Sequence, residues 1–147
     1  LLRVDPDGSA HEVAPDLRMA NGMVITADHS TLLVAESWGK CITAFDLASD
    51  GSLSNQRVWA DLPDYPDGIA IDAADGVWVA SPVSDRFIYV VEGGQVERTV
   101  DTPGRHAIAC VVGGADGGTL FMIAATTHGE RVESQTAMTA AVETAVI

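Results

Sequence analysis

The sequence predicts an all-β protein, part of a β-propeller, and three observations carry that prediction. Short apolar runs punctuated by Gly, Asp, Asn and Pro recur along the chain. No window before the tail keeps a 3.6-residue apolar period for three turns, so helices are not expected. The runs also repeat: Asn21-Gly22, Asp67-Gly68 and His106-Ala107 each precede an apolar run, at offsets of 46 and 39 residues. A period of about 40–50 residues with about four short strands is the signature of a propeller blade, a meander that must stack on its neighbours to bury both faces.

In order, strands are expected at Leu2–Asp5 and His11–Ala14, joined by the turn Pro6-Asp7-Gly8. Met23–Ile25, Leu32–Ala35, Ile42–Phe45 and Arg57–Ala60 then make a first full blade. Ile69–Ile71, Val77–Ala80, Phe87–Val91 and Val96–Val100 make a second. Ile108–Val111 and Leu120–Ile123 open a third, and the Thr- and Val-containing tail from Ser134 to Ile147 is expected to add a last strand. Residues 1–147 thus read as a partial propeller domain: three blades plus the outer strands of an earlier one. Rings of four to eight blades are the rule, so N-terminal blades are expected to be missing from this chain.

Composition narrows the class. The chain has 147 residues, 47% of them hydrophobic and 20% charged, which fits a globular domain. No apolar run approaches the ~20 residues of a spanning helix, so no membrane partner is expected. Eight Lys and Arg against 21 Asp and Glu leave a net charge of −13, a field that repels phosphate backbones, so no nucleic-acid partner is expected either. Cys41 and Cys110 lie inside apolar runs and are expected as buried reduced thiols. No basic segment followed by a long apolar stretch marks a signal peptide, and a cytoplasmic setting is expected.

In a meander blade the innermost strand starts at the rim where the second strand ends. Asn21, Asp67 and His106 are therefore expected at equivalent positions around one mouth of the central channel. Ser37-Trp38, Ser81-Pro82 and Thr126-Thr127-His128 would form the loops above it. An amide and a carboxylate converging there are hard oxygen donors, suited to Ca²⁺, Mg²⁺ or Mn²⁺. Taken singly, Asn-Gly and Asp-Gly are also common turn dipeptides that tolerate positive φ. The repeat separates Asn21 and Asp67 from Asp50-Gly51, Asp75-Gly76 and Asp116-Gly117, which fall between strands.

The stretches MANGMVITADHSTLLVAESWGKCITAFDL, DLPDYPDGIAIDAADGVWVAS and GRHAIACVVGGADGGTLF resemble the later blades of the SMP-30/gluconolactonase/luciferin-regenerating-enzyme family, over about Leu2 to His128. The resemblance implies a six-bladed propeller with a divalent metal on its axis, opening sugar lactones and related esters. The family holds its metal with a Glu from the first blade and an Asn and an Asp from later ones. The latter two match Asn21 and Asp67; the segment that would carry the Glu, and a further upstream Asn, is not in this chain. The implied cofactor is a divalent cation, calcium first, with zinc, magnesium and manganese as alternatives. The implied partner is a small lactone, with Asp67 as ligand and base and with His106 and Ser37 facing the substrate. No nucleophile elbow, zinc helix or phosphate loop competes. Two other readings stand beside this one: a strictosidine-synthase- or paraoxonase-like propeller enzyme, and a non-catalytic binding propeller.

Overall fold

The structure, a computed structural model, describes residues 1–126 and 140–147. Strands β1 (Leu2–Val4) and β2 (Ala10–Glu12) form an antiparallel hairpin around the Pro6-Asp7-Gly8 turn. The first blade is β3 (Ala20–Ile25), β4 (Thr31–Glu36), β5 (Cys41–Leu47) and β6 (Leu53–Asp61), paired in chain order. The second is β7 (Ile69–Ile71), β8 (Val77–Ser81), β9 (Arg86–Val90) and β10 (Val96–Asp101). The third is β11 (His106–Gly113), β12 (Thr119–Ala125) and β13 (Ala141–Val146). All neighbouring pairs within the three blades are antiparallel, as up-and-down meanders require.

The tail strand expected from Ser134 onward is β13; residues 134–139 lie outside the described residues, as do Thr127 and His128. Pro82–Ser84 form one short 3-10 turn between β8 and β9 that the apolar pattern did not announce. Among the described residues no helix is long and apolar enough to cross a membrane.

Cores lie between sheets, because side chains alternate across each strand. Leu33, Ala35 and Ile42 of the first blade meet Val77, Val79 and Ile88 of the second. The opposite face of the same second-blade strands, with Trp78, Ala80 and Phe87, meets Ala107, Leu120 and Met122 of the third. A smaller cluster seats Ala14 and Leu17 on Val34 and Phe45, fixing the segment after the hairpin to the first blade. Both cysteines are free; burial pushes the Cys41 thiol up, and pushes that of Cys110 up to about 12.

Candidate functional site

Innermost strands of successive blades touch through their backbones. Gly22 N–H donates to the Asp67 carbonyl oxygen (3.2 Å), and Gly68 N–H to that of Ile108 (2.9 Å). A Cβ on Gly22 would lie 2.5 Å from the Ile69 nitrogen, and one on Gly68 would lie 2.8 Å from the Ala109 Cα. Only glycine permits that approach. None of Asn21, Gly22, Asp67 and Gly68 has positive φ, whereas Asp75 (60°), Gly51 (80°) and Gly117 (71°) do. The blade-start pairs are therefore close-approach sites and not turns, while the look-alike pairs between strands are turns.

This contact brings Asn21 and Asp67 onto one cavity of about 410 Å³, which Ser37, Trp38, Tyr65 and Val83 also line. Asn21 Nδ2 donates to Ser37 Oγ (3.3 Å), and the Ser37 hydroxyl donates to the Pro66 carbonyl oxygen (2.6 Å). With its nitrogen engaged on Ser37, the Asn21 amide keeps Oδ1 as its acceptor atom. Asp67 is anchored by its own N–H, which donates to the Ala80 carbonyl oxygen (2.9 Å).

Buried Asp64 ties together two loops at the rim. It accepts the Tyr65 N–H (2.8 Å) with one oxygen and the Ser84 hydroxyl with the other. Lys40 Nζ lies 4.2 Å from the centre of the Tyr65 ring, a cation–π contact. On the other side of Ser37, buried Glu36 accepts the Arg18 N–H (2.6 Å) and the Thr43 hydroxyl, fixing the end of β4.

His106 opens β11 as expected but stands behind the cavity wall, not among the residues that line it. Its Nδ1–H donates to the Pro82 carbonyl oxygen (2.8 Å), and Asp85 Oδ1 lies 3.0 Å from the same nitrogen. Asp85 has φ of 50° and accepts the Gly104 N–H (3.1 Å) with its other oxygen. Pro82 lines the cavity, so the pair reaches the site through it.

Of the residues read from the sequence, Asn21, Asp67 and Ser37 come together on the cavity, as do Trp38 and Pro82 from the expected loops. Tyr65, Val83 and Asp85 carried no signal: each is a single residue in a connection whose shape the strand pattern does not encode. Among the described residues, no three His, Cys, Asp or Glu side chains cluster as a metal site. The donors this chain offers at the cavity are the Asn21 amide and the Asp67 carboxylate. Both are hard and fit an oxygen-preferring divalent cation as part of a larger ligand set.

A family model described as the SMP-30/Gluconolactonase/LRE-like region matches residues 1–126. Regucalcin of Danio rerio is 28% identical over 130 residues, 85% of this chain and 44% of that protein. The 6-deoxy-6-sulfogluconolactonase of Pseudomonas putida is 26% identical over 126 residues, 83% of this chain and 43% of that protein. A solved gluconolactonase from Xanthomonas campestris superposes with a TM-score of 0.68 at 32% identity, covering 82% of this chain and 40% of its own. The chain thus spans less than half the length of these relatives.

Proposed function

Because the chain belongs to the SMP-30/gluconolactonase/LRE-like family, we propose that it carries part of the active site of a metal-dependent hydrolase that opens sugar lactones or related cyclic esters. The observation that carries this reading is the placing of Asn21 and Asp67, from successive blade starts, on one cavity. Those two residues would hold the divalent cation, calcium first. When bound it supplies Lewis acidity toward the lactone carbonyl.

The protein's own part in the reaction follows from the residue types. A water oxygen bonds to the lactone carbonyl carbon while its proton passes to an Asp67 carboxylate oxygen. The tetrahedral adduct collapses with cleavage of the ring C–O bond. The alkoxide released takes the proton back from Asp67, and the product is the open-chain hydroxy acid. Asn21 adds an oxygen donor without adding charge. Ser37 holds the Asn21 amide in place and is the proposed polar contact for the substrate; His106, bonded to the Pro82 carbonyl behind the wall, is proposed to position that part of the rim. The two free thiols agree with a reducing cytoplasmic setting.

The test uses the full-length protein with glucono-δ-lactone as substrate. Asp67→Asn should lower the rate at least ~10²-fold, the lower end of what a general base supplies. Asp75→Asn, in the left-handed turn between β7 and β8, should leave it unchanged. Chelation should abolish hydrolysis and added Ca²⁺ should restore it. Parent-like hydrolysis by Asp67→Asn would remove Asp67 from the reaction and leave a binding propeller as the better reading.

A further inference from the structure

The cavity has a polar floor and an apolar collar. Asn21, Ser37 and Asp67 supply the floor, while Met19, Trp38, Tyr65 and Val83 stand around them. Trp38 is 73% exposed and Val83 68%, large apolar side chains left open beside the Asn21 and Asp67 oxygen donors. The other two tryptophans, Trp59 and Trp78, are 9% and 1% exposed and belong to the cores between blades.

Nothing in the local fold calls for an indole at position 38. It lies in the turn from β4 to β5, where Lys40 takes a left-handed φ of 50° and small polar residues are the usual occupants. Its backbone N–H donates to the Arg18 carbonyl oxygen (3.2 Å), a bond that any residue except proline could make. Among the described residues its indole makes no hydrogen bond and no ring contact. The collar is nevertheless built in advance. The Lys40 ammonium on the Tyr65 ring joins the Trp38 turn to the Tyr65 loop, and Asp64 joins that loop to the Ser84 turn beside Val83.

The polar groups decide what such a collar can hold. Ser37 Oγ already donates to Pro66 and accepts from Asn21, which leaves it one acceptor lone pair on the floor, and the collar side chains offer only the Tyr65 hydroxyl and the Trp38 indole N–H. A fully hydroxylated sugar would find partners there for few of its hydroxyls, and the rest would give up water uncompensated, which is costly. An alkyl or aryl group there would gain by leaving water.

Resting on the lactonase reading, we propose that Trp38, Tyr65 and Val83 form a subsite for an apolar substituent on the lactone ring. The preferred substrates are then lactones with a hydrophobic arm, above fully hydroxylated sugar lactones. A cavity of about 410 Å³ is within the usual range for a small-molecule site. Burial of one arm the size of a Leu or Phe side chain corresponds to about ten- to hundredfold in binding.

The experiment compares γ-phenyl-γ-butyrolactone with glucono-δ-lactone on the full-length protein and on Trp38→Ala. In the parent, KM for the phenyl lactone should be about tenfold below that for the sugar lactone. Trp38→Ala should raise the phenyl-lactone KM about tenfold, a clearly larger factor than for the sugar lactone, and Trp38→Phe should restore most of the difference. The non-hydrolysable lactam 5-phenylpyrrolidin-2-one should shift parent tryptophan emission to the blue and protect it from acrylamide, an effect lost in Trp38→Phe, because Trp38 is the exposed one of the three tryptophans in residues 1–147. Equal losses for both lactones in Trp38→Ala, or emission unmoved by the lactam, would overturn the subsite. If no lactone is hydrolysed but the lactam still shifts the emission, the lactonase reading falls and the subsite stands. If glucono-δ-lactone is hydrolysed and Trp38→Ala leaves the phenyl-lactone KM unchanged, the subsite falls and the lactonase reading stands.

Discussion

In β8 every residue from Val77 to Ser81 is buried, while β12, an equally apolar run, buries Leu120 and Met122 but leaves Ile123 exposed. The two strands differ in their neighbours more than in their composition. Val77 and Val79 meet the first blade and Trp78 and Ala80 meet the third, so both faces of β8 are covered. One face of β12 packs on the second blade through Leu120 and Met122. The other, with Phe121 and Ile123, joins Val111 and Val142 along an open apolar groove of about 400 Å³. A continuous apolar run is the pattern of a strand covered on both sides. β12 is thus composed for a neighbour that these residues do not supply, and the first blade shows the same on Met23 and Ile25 of β3.

Core truncation should break this comparison most sharply. Phe87→Ala, in the fully buried contact between second and third blades, should cost about 3–5 kcal/mol in urea unfolding. Ile123→Ala in the isolated 147-residue chain should cost about 1 kcal/mol, because the side chain is already partly hydrated. Repeating Ile123→Ala in the full-length protein sharpens the contrast. A rise toward the cost of a buried isoleucine would mean that another blade covers the groove, and an unchanged cost would mean that the face is bare by design.

Glycine substitutions give a smaller effect of opposite sign in the two blades. At Gly68 a Cβ would meet the Ala109 Cα at 2.8 Å, a backbone contact that cannot swing away. Gly68→Ala should therefore destabilise by about 1–3 kcal/mol, the usual cost of overpacking. At Gly113 of β11 the nearest atom would be Phe121 Cε2 at 3.5 Å, ordinary contact, and φ there is not positive. Gly113→Ala should be neutral or stabilising by about 0.5 kcal/mol, since it restricts the unfolded chain. Equal destabilisation by both, measured by thermal unfolding, would remove close blade approach as the reason for Gly68.

The blade plan was legible because each unit restates it. The spacing of Asn21, Asp67 and His106 marks the beginnings of inner strands: Asn21 and His106 fall at the start of β3 and β11, and Asp67 two residues before β7. What a dipeptide does was less legible than where it falls. Asn21-Gly22 and Asp75-Gly76 look alike, yet the first serves a contact with Ile69 of the next blade and the second sits in a left-handed turn. Such cross-blade contacts join residues about 45 positions apart, beyond the reach of local pattern. For the same reason His106 could be placed at a blade start but its bond to Pro82 could not, and Tyr65 and Val83 emerged as collar residues only in three dimensions. The neighbours of β12 are equally invisible in its own apolar run.

The smallest effect separates the blades by pH. Tyr89 is buried in the second blade beside Trp78, with ring centroids 5.2 Å apart, and its hydroxyl donates to Asp72 Oδ2 (2.7 Å). Burial first, then the hydrogen bond to Asp72, push its phenol up to about 12. The third blade contains no tyrosine. The unfolded phenol ionises near 10, so the folded state holds its proton more tightly. Stability from this group is therefore complete below pH 10 and is lost as pH rises through 12. Tyr89→Phe should cost about 1 kcal/mol at pH 9, the worth of one hydrogen bond, plus whatever the Asp72 carboxylate loses in partnership. Between pH 9 and 11.5 the parent should lose stability faster than the variant, so that the two urea-unfolding curves converge. In parallel, the absorbance rise of phenolate at 295 nm around pH 12 should disappear from the variant. Unfolding free energies that run parallel across that interval would show that Tyr89 ionises alike in both states, and that the tight packing of the second blade leaves its one buried phenol unperturbed.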